Sequence, residues 1–462
     1  MMAIGQRSET DFLGTKGIPE AAYYGLQTLR AIEMFPITGY RVHTSLIKGI
    51  AIVKKATALA NVKIGVLDKQ IGQAIVQATD EIIIGKLHDQ FIVDPIQPGA
   101  CASLNMNANE VIANRALEII GREKGDYSFI SPNTHVNMSQ STGDVFPTSF
   151  RLATLDMIDQ LITTMRNMEQ VIIQIVNKFE QLFHFSDTHL HDVFPIRLGL
   201  EFENYQNMIQ HDIIRITNSK DQLFKIHIGT KSIGTRLKEV SIFSDLVVDN
   251  ISQISGFQLK KTEQILDANE HTVVYSDVIE ALKNNMINIS KICNDLRLMS
   301  VGSNAGLYRK SLSATSEMSG QINPVISEII NHITNHVVGN DLNIGMSTET
   351  GKYGLHVMEP VLVFNLIQSI NMMRNGFNVF TNYCLKRVEA DEMKIMKNIE
   401  RNVPSLTALT PYLGHEKTSQ IARQAILTGK CVRAVCLKLD VLTEEQLDHI
   451  LDPMKLKNPG VV

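Results

Sequence analysis

Strand signals are what this sequence has least of: alternating apolar and polar runs are nearly absent, which argues against a strand-rich fold. Cysteine is sparse too. Five occur in 462 residues (Cys101, Cys293, Cys384, Cys431, Cys436), and they show no metal-ligand spacing. An odd number in so long a chain argues against a disulfide framework and for a reducing compartment, so the expected location is the cytoplasm. An excess of one charge is also missing. The 44 basic side chains face 48 acidic ones, for a net charge of −4, which leaves no electrostatic footprint for nucleic acid or an anionic membrane. A small solute or another protein is the expected partner. No run approaches the roughly 18 apolar residues of a membrane span, and the opening ten residues have no apolar core of signal-peptide length. Internal repeats and low-complexity tracts are not seen.

What is present is helix. Hydrophobic residues make up 44% and charged residues 20%, a globular balance. The length points to about three units at ~150 residues each. Residues 1–44 read as irregular and turn-rich, punctuated by Gly14, Gly17, Pro19, Gly25 and Pro36. From Ser45 to Asn61, Lys69 to Ile84 and Ser103 to Ile120, apolar residues recur every three or four positions, as on one face of a packed helix. The middle of the chain differs. Ser149–Phe183, Val273–Ser300 and Val361–Asn398 keep that period far beyond ordinary helix length, and shorter runs at 200–227 and 324–337 make five. Five such helices bury one another best as an elongated bundle. Several carry apolar residues on more than one face, as in Val171-Ile-Ile-Gln-Ile-Val, so self-association through the bundle is expected. After Pro404 come shorter helices, including a capping-box pattern Thr443-Glu-Glu-Gln. The expected architecture is all-α, in three domains: an N-terminal helical domain (1–143), a central five-helix bundle (144–398) and a small C-terminal helical domain (399–462).

Three stretches resemble one family. Asp11-Phe-Leu-Gly-Thr-Lys-Gly-Ile-Pro-Glu-Ala-Ala-Tyr-Tyr-Gly is the first. Ser103-Leu-Asn-Met-Asn-Ala-Asn-Glu together with His135-Val-Asn-Met-Ser-Gln-Ser-Thr-Gly-Asp is the second. The third runs from Ile292-Cys-Asn-Asp through Ile322-Asn-Pro to Val357-Met-Glu-Pro-Val, and Thr428-Gly-Lys-Cys-Val-Arg adds a match near the C-terminus. In this order they resemble the aspartase/fumarase superfamily, and within it the aspartate ammonia-lyases, over essentially the whole chain. The resemblance implies three helical domains, a homotetramer built on the central bundles, and active sites shared between subunits. It implies neither a cofactor nor a metal.

The activity it implies is elimination, from L-aspartate to fumarate and ammonia. A proton leaves the carbon beside one carboxylate, and the intermediate is a doubly charged aci-carboxylate. Such a site needs donors aimed at the developing charge and a base strong enough for a weak carbon acid. The resemblance places the base, a serine on the family's signature loop, at Thr315, and carboxylate-binding groups at Ser316, Gln321 and Asn323. A threonine keeps the hydroxyl but stiffens it through its β-branch. Gln321 stands where the family has lysine, which removes a charge-assisted contact of about 1–2 kcal/mol. Ser141, Thr142 and Thr188 match further substrate-binding positions, and His189 matches a catalytic histidine in the fumarase version of its motif. Ala102 replaces a carboxylate-binding threonine, and Gly143 an asparagine that holds the leaving amine. Arg236 and Lys238 are cations the family lacks. Three readings stay open: an ammonia-lyase with weakened aspartate contacts, a lyase of the same mechanism on another carboxylate or amino acid, and an inactive scaffold that co-assembles with an active paralogue. The simplest alternative for Thr315 and Ser316 is an ordinary polar loop, and for His135, His189 and His191 it is local hydrogen bonding.

Overall fold

The computed structural model describes residues 5–99, 101–188, 191–226, 228, 238–262, 272–300, 325–349, 357–390, 392–393, 395 and 405–451. The first turn-rich segment is more ordered than its sequence suggests. Strands β1 (Gln6–Asp11) and β2 (Gly14–Pro19) form an antiparallel hairpin, with Asp11 opposite Gly14. Gly14 takes φ of +120°, a conformation costly to any residue with a Cβ. Ile18 is the one fully buried apolar side chain of β2, so no alternation was there to be read. The Arg7 guanidinium ties the hairpin down, donating to the carbonyls of Ala22 (2.6 Å) and Tyr24 (2.7 Å) and to Glu9 (2.8 Å).

Helix α1 (Leu26–Met34) follows, then α2 (Thr44–Lys63), α3 (Lys69–Ile83) and α4 (Ala102–Ile119). The α1 N-terminus has no side-chain cap of its own. Its open amides go to Glu110 of α4, which accepts from Gly25 N (2.8 Å), Gln27 N (2.8 Å), Thr28 N (3.1 Å) and Thr28 Oγ1 (2.6 Å). A buried carboxylate at the positive end of a helix thus joins two parts of the family-like sequence. Asp68 caps α3 through the amides of Gln70 and Ile71.

Helix α5 (Thr142–Lys178) is 37 residues long. It starts seven residues earlier than the periodicity predicts and tolerates Pro147, whose missing N–H would have paired with the Gly143 carbonyl. It ends before Phe183, where the predicted helix gives way to strands β3 (Phe183–Thr188) and β4 (His191–Arg197), an antiparallel hairpin with a bulge at Ser186/Asp187. The alternation Phe183-His-Phe-Ser explains that switch. Then come α6 (Leu198–Ser219), α7 (Lys238–Ser255), α8 (Val273–Ser300), α9 (Val325–Thr348) and α10 (Glu359–Tyr383). Among the described residues the fold is all-α apart from these hairpins and a parallel pair of two-residue strands, Lys225–Ile226 and Lys260–Lys261. Helix α7 was not predicted. It packs beside α2, where Asn250 donates to the Ala56 carbonyl at 3.0 Å. Helices α11 (Ser405–Thr428), α12 (Val432–Lys438) and α13 (Glu444–Ile450) are the last of the described residues' helices; α11 kinks at Gly414, and the Thr443–Gln446 capping box forms as read.

The chain divides into two compact units. One comprises residues 1–163, 214–284 and 335–374, and the other 164–213, 285–334 and 375–462, so each of the five long helices contributes a stretch to both. In the first unit, Gly49 of α2 lies against the Ser149 backbone of α5, where an added Cβ would sit 2.4 Å from the carbonyl oxygen. Asn340 of α9 donates to Ser369 of α10 at 2.9 Å. In the second, the fully buried Asp212 of α6 accepts from Asn285 (3.0 Å) and Asn288 (2.9 Å) of α8.

Candidate active site

Ser141 and Thr142, the two predicted substrate-binding residues whose side chains the structure describes, form the N-terminal end of α5. Ser141 is its cap. The hydroxyl accepts from Asp144 N (3.1 Å), and Asp144 Oδ2 accepts both Ser141 N (3.0 Å) and Ser141 Oγ (2.8 Å). This is a capping box with aspartate in the third helical position. Thr142 and Gly143 supply the first helical amides, both half-buried. A helix N-terminus with open N–H groups attracts an anion, so this end of α5 suits a carboxylate.

The preceding segment is held from three sides. Residues Pro132–Val136 make a single π-helical turn, with Ser131 Oγ accepting from Thr134 N at 3.1 Å. His135 Nδ1 accepts the Ser131 amide at 2.9 Å, and burial pulls its pKa down, so the ring is neutral with its proton on Nε2. That matches the local hydrogen-bonding reading of this histidine. Asn137 Oδ1 accepts from Lys54 Nζ of α2 (2.9 Å) and Asn105 Nδ2 of α4 (3.2 Å). Asn61 donates to Met138 O (3.1 Å), and Gln140 donates back to Val136 O (2.9 Å).

A second buried group lies at the start of α10. Glu359, in the family-like Val357-Met-Glu-Pro, is buried, and desolvation pushes its pKa up to about 8 against the pull of Arg151 on α5. The field of Glu359 also raises the pKa values of Tyr275 and Cys101, on top of the larger effect of burial. Phe150 stacks on Tyr275 at 4.4 Å, and Arg151 donates to the Gln222 carbonyl at 2.9 Å. Cys101, Arg151, Tyr275 and the family-like Glu359 therefore meet in one electrostatic cluster. A pocket of about 150 Å³ opens beside it, lined by Cys101, Leu104, Phe146, Pro360, Val363 and Phe364 among others. Its lining is mostly apolar and includes none of the predicted site residues, so it does not have the chemistry of a dicarboxylate site.

The other predicted site residues are only partly within reach. Thr188 ends strand β3, but its side chain lies outside the described residues. His189, Thr315, Ser316, Gln321 and Asn323 lie outside them altogether, as does Arg236. Among the described residues, no group of three or more histidine, cysteine or carboxylate side chains is arranged to hold a metal ion, and no helix is long and apolar enough to cross a membrane. Sequence reasoning missed Lys54, Asn137, Asp144 and the Arg151–Glu359 pair. Lys54 falls in phase with Ile47, Ile50, Thr57, Ala58 and Asn61 on the buried face of α2, while Asn137, Asp144 and Glu359 lie inside the family-like stretches, where they were given no role.

Comparison with known proteins finds two family models and a set of similar chains. The family described as Lyase matches residues 14–339, and that described as Fumarase C C-terminus matches residues 406–458. The chain is 51% identical to the aspartate ammonia-lyase of Bacillus subtilis (strain 168), over 98% of its own length and 97% of the relative's. It is 50% identical to that of a Bacillus species, covering 98% of each. Among solved structures, the fumarate lyase:delta crystallin from Brucella melitensis bound to cobalt aligns with a TM-score of 0.91 at 37% identity, over 98% of this chain and 100% of that one.

Proposed function

The chain belongs to the aspartase/fumarase superfamily and is a carbon–nitrogen lyase, and from that premise we propose that it converts L-aspartate to fumarate and ammonia. The observation that carries the substrate is the identity of 50–51% over nearly the full length to two aspartate ammonia-lyases. The α5 N-terminus supports it physically, because hydroxyls and open amides gathered at the positive end of a long helix suit one carboxylate of a dianion.

In this reading Thr315 takes the proton from the carbon next to a carboxylate, and His189 is the second catalytic residue. The C–H electron pair passes first into the aci-carboxylate and then into the new double bond, as the C–N pair departs with ammonia. Ser141, Thr142, Thr188, Ser316 and Asn323 bind the two carboxylates, and Gln321 offers a neutral amide in place of a cation. Turnover is therefore weaker than a lysine-bearing site would give. The protein works as a homotetramer in the cytoplasm, with each site shared between subunits.

The replacement of lysine by Gln321 and of asparagine by Gly143 favours one second reading, the same elimination on a different carboxylate or amino acid. An assay of the purified protein with excess aspartate separates the two. Rising ultraviolet absorbance from a conjugated double bond, with stoichiometric ammonia, that disappears in Thr315→Ala supports the aspartate reading. No signal from well-folded protein overturns it.

A further inference from the structure

Lysine is almost never fully buried unless something holds its charge. Lys54, in the middle of α2, has 0% of its surface exposed. A methionine of similar length would fill the same volume with no charge to desolvate, so packing does not explain a lysine here. Its ammonium donates to Asn137 Oδ1 at 2.9 Å, beside the Asn105 amide that reaches the same oxygen at 3.2 Å. The Asn137 side chain in turn donates to the carbonyl of Gln140 at 3.4 Å, and Gln140 immediately precedes Ser141. A charged group on α2 is thus connected, through one asparagine, to the backbone that enters the α5 N-terminus.

We propose that Lys54 is a positioning residue for substrate binding: through Asn137 it fixes the Gln140–Thr142 backbone, so that the hydroxyls and open amides at the start of α5 meet a substrate carboxylate in register. The proposal rests on the lyase reading for its substrate, but not for its structural half. A charge-assisted bond to Asn137 is shorter and stiffer than a neutral one. Misplacement of that segment weakens carboxylate binding before it affects the proton transfer.

The test uses the full-length protein with Lys54→Met, Asn137→Ala and the double variant. Hydrogen exchange is followed in peptides covering 136–145, and steady-state kinetics are measured with aspartate. Lys54→Met is expected to speed exchange in 136–145 at least about tenfold while the rest of α2 and α4 stays protected, and to raise KM about tenfold with a much smaller change in kcat. Asn137→Ala changes no residue of α2 and should reproduce both effects, and the double variant should be no worse than either. A Lys54→Met or Asn137→Ala protein with a lowered Tm but wild-type exchange in 136–145 and wild-type KM overturns the proposal, as do losses that multiply in the double variant. If the wild type does not turn over aspartate, the substrate reading fails alone, and the exchange comparison still decides the role of Lys54.

Discussion

Asp144 receives both the amide and the hydroxyl of Ser141, at 3.0 and 2.8 Å, and returns its own amide to the same hydroxyl at 3.1 Å. The side chain that the sequence assigns to substrate is therefore also the cap of a 37-residue helix. Holding the helix and holding the substrate are separable roles.

Substitution separates them. Ser141→Ala removes the cap and should lower stability by about 1 kcal/mol, whereas glycine caps nearly as well and should cost only a few tenths. Both variants lose the hydroxyl, so both should lose about five- to tenfold in kcat/KM for aspartate. Thermal unfolding and initial rates measured side by side check this. A Ser141→Gly protein with wild-type kinetics would confine Ser141 to capping.

Glu110 faces only donors: the amides of Gly25, Gln27 and Thr28 and the Thr28 hydroxyl. Glu110→Gln turns one oxygen into an N–H₂ group that must meet one of those amides. The expected cost is about 1–3 kcal/mol, read as a lowered urea midpoint with an unchanged m-value.

Glu359 makes stability depend on pH. Its pKa stands at about 8 in the folded chain against an ordinary 4.5, because burial disfavours the charge more than Arg151 favours it. Between these values the folded state holds a proton that the unfolded state has released, so this contribution to stability is full below about pH 4.5 and is lost as pH rises through 8. Glu359→Gln abolishes that loss. Relative to wild type, the variant should gain on the order of a few kcal/mol between pH 5 and pH 9, measured by denaturant unfolding at each pH.

Restoring the cation tests the site alignment. Gln321→Lys combined with Gly143→Asn should raise kcat/KM for aspartate about tenfold, the worth of one charge-assisted contact. If the double variant gains nothing in the same absorbance assay, Gln321 does not occupy the substrate-facing position.

Helical period alone located most of the long helices, because a buried stripe every three or four residues leaves its mark wherever a helix packs along its length. It failed where something other than a stripe decides the structure. The hairpin of β1 and β2 is held by Arg7 reaching the carbonyls of Ala22 and Tyr24, contacts that no local pattern announces. Helix α5 begins at Thr142 because the Ser141–Asp144 box starts it, although Gly143 and Pro147 argue against helix there. The resemblance assigned Ser141 and Thr142 to substrate, and the structure puts them at the start of a helix whose period was read only from Ser149. It said nothing of Lys54 or Asn137, whose link spans 83 residues of sequence.

The unit that contains Lys54, Ser141 and Glu359 is assembled from residues 1–163, 214–284 and 335–374. A ribosome delivers these pieces in order, at about 5–20 residues per second. Nothing downstream of residue 163 has yet emerged when the first 163 are out, and the last piece of this unit appears only with Arg374. For roughly 10 to 40 seconds of synthesis at those rates, the apolar faces of α2, α4 and the first half of α5 wait for partners not yet made. The nascent chain is expected to need holding chaperones throughout that interval, and a chain truncated before Arg374 is expected to be insoluble instead of shorter and folded.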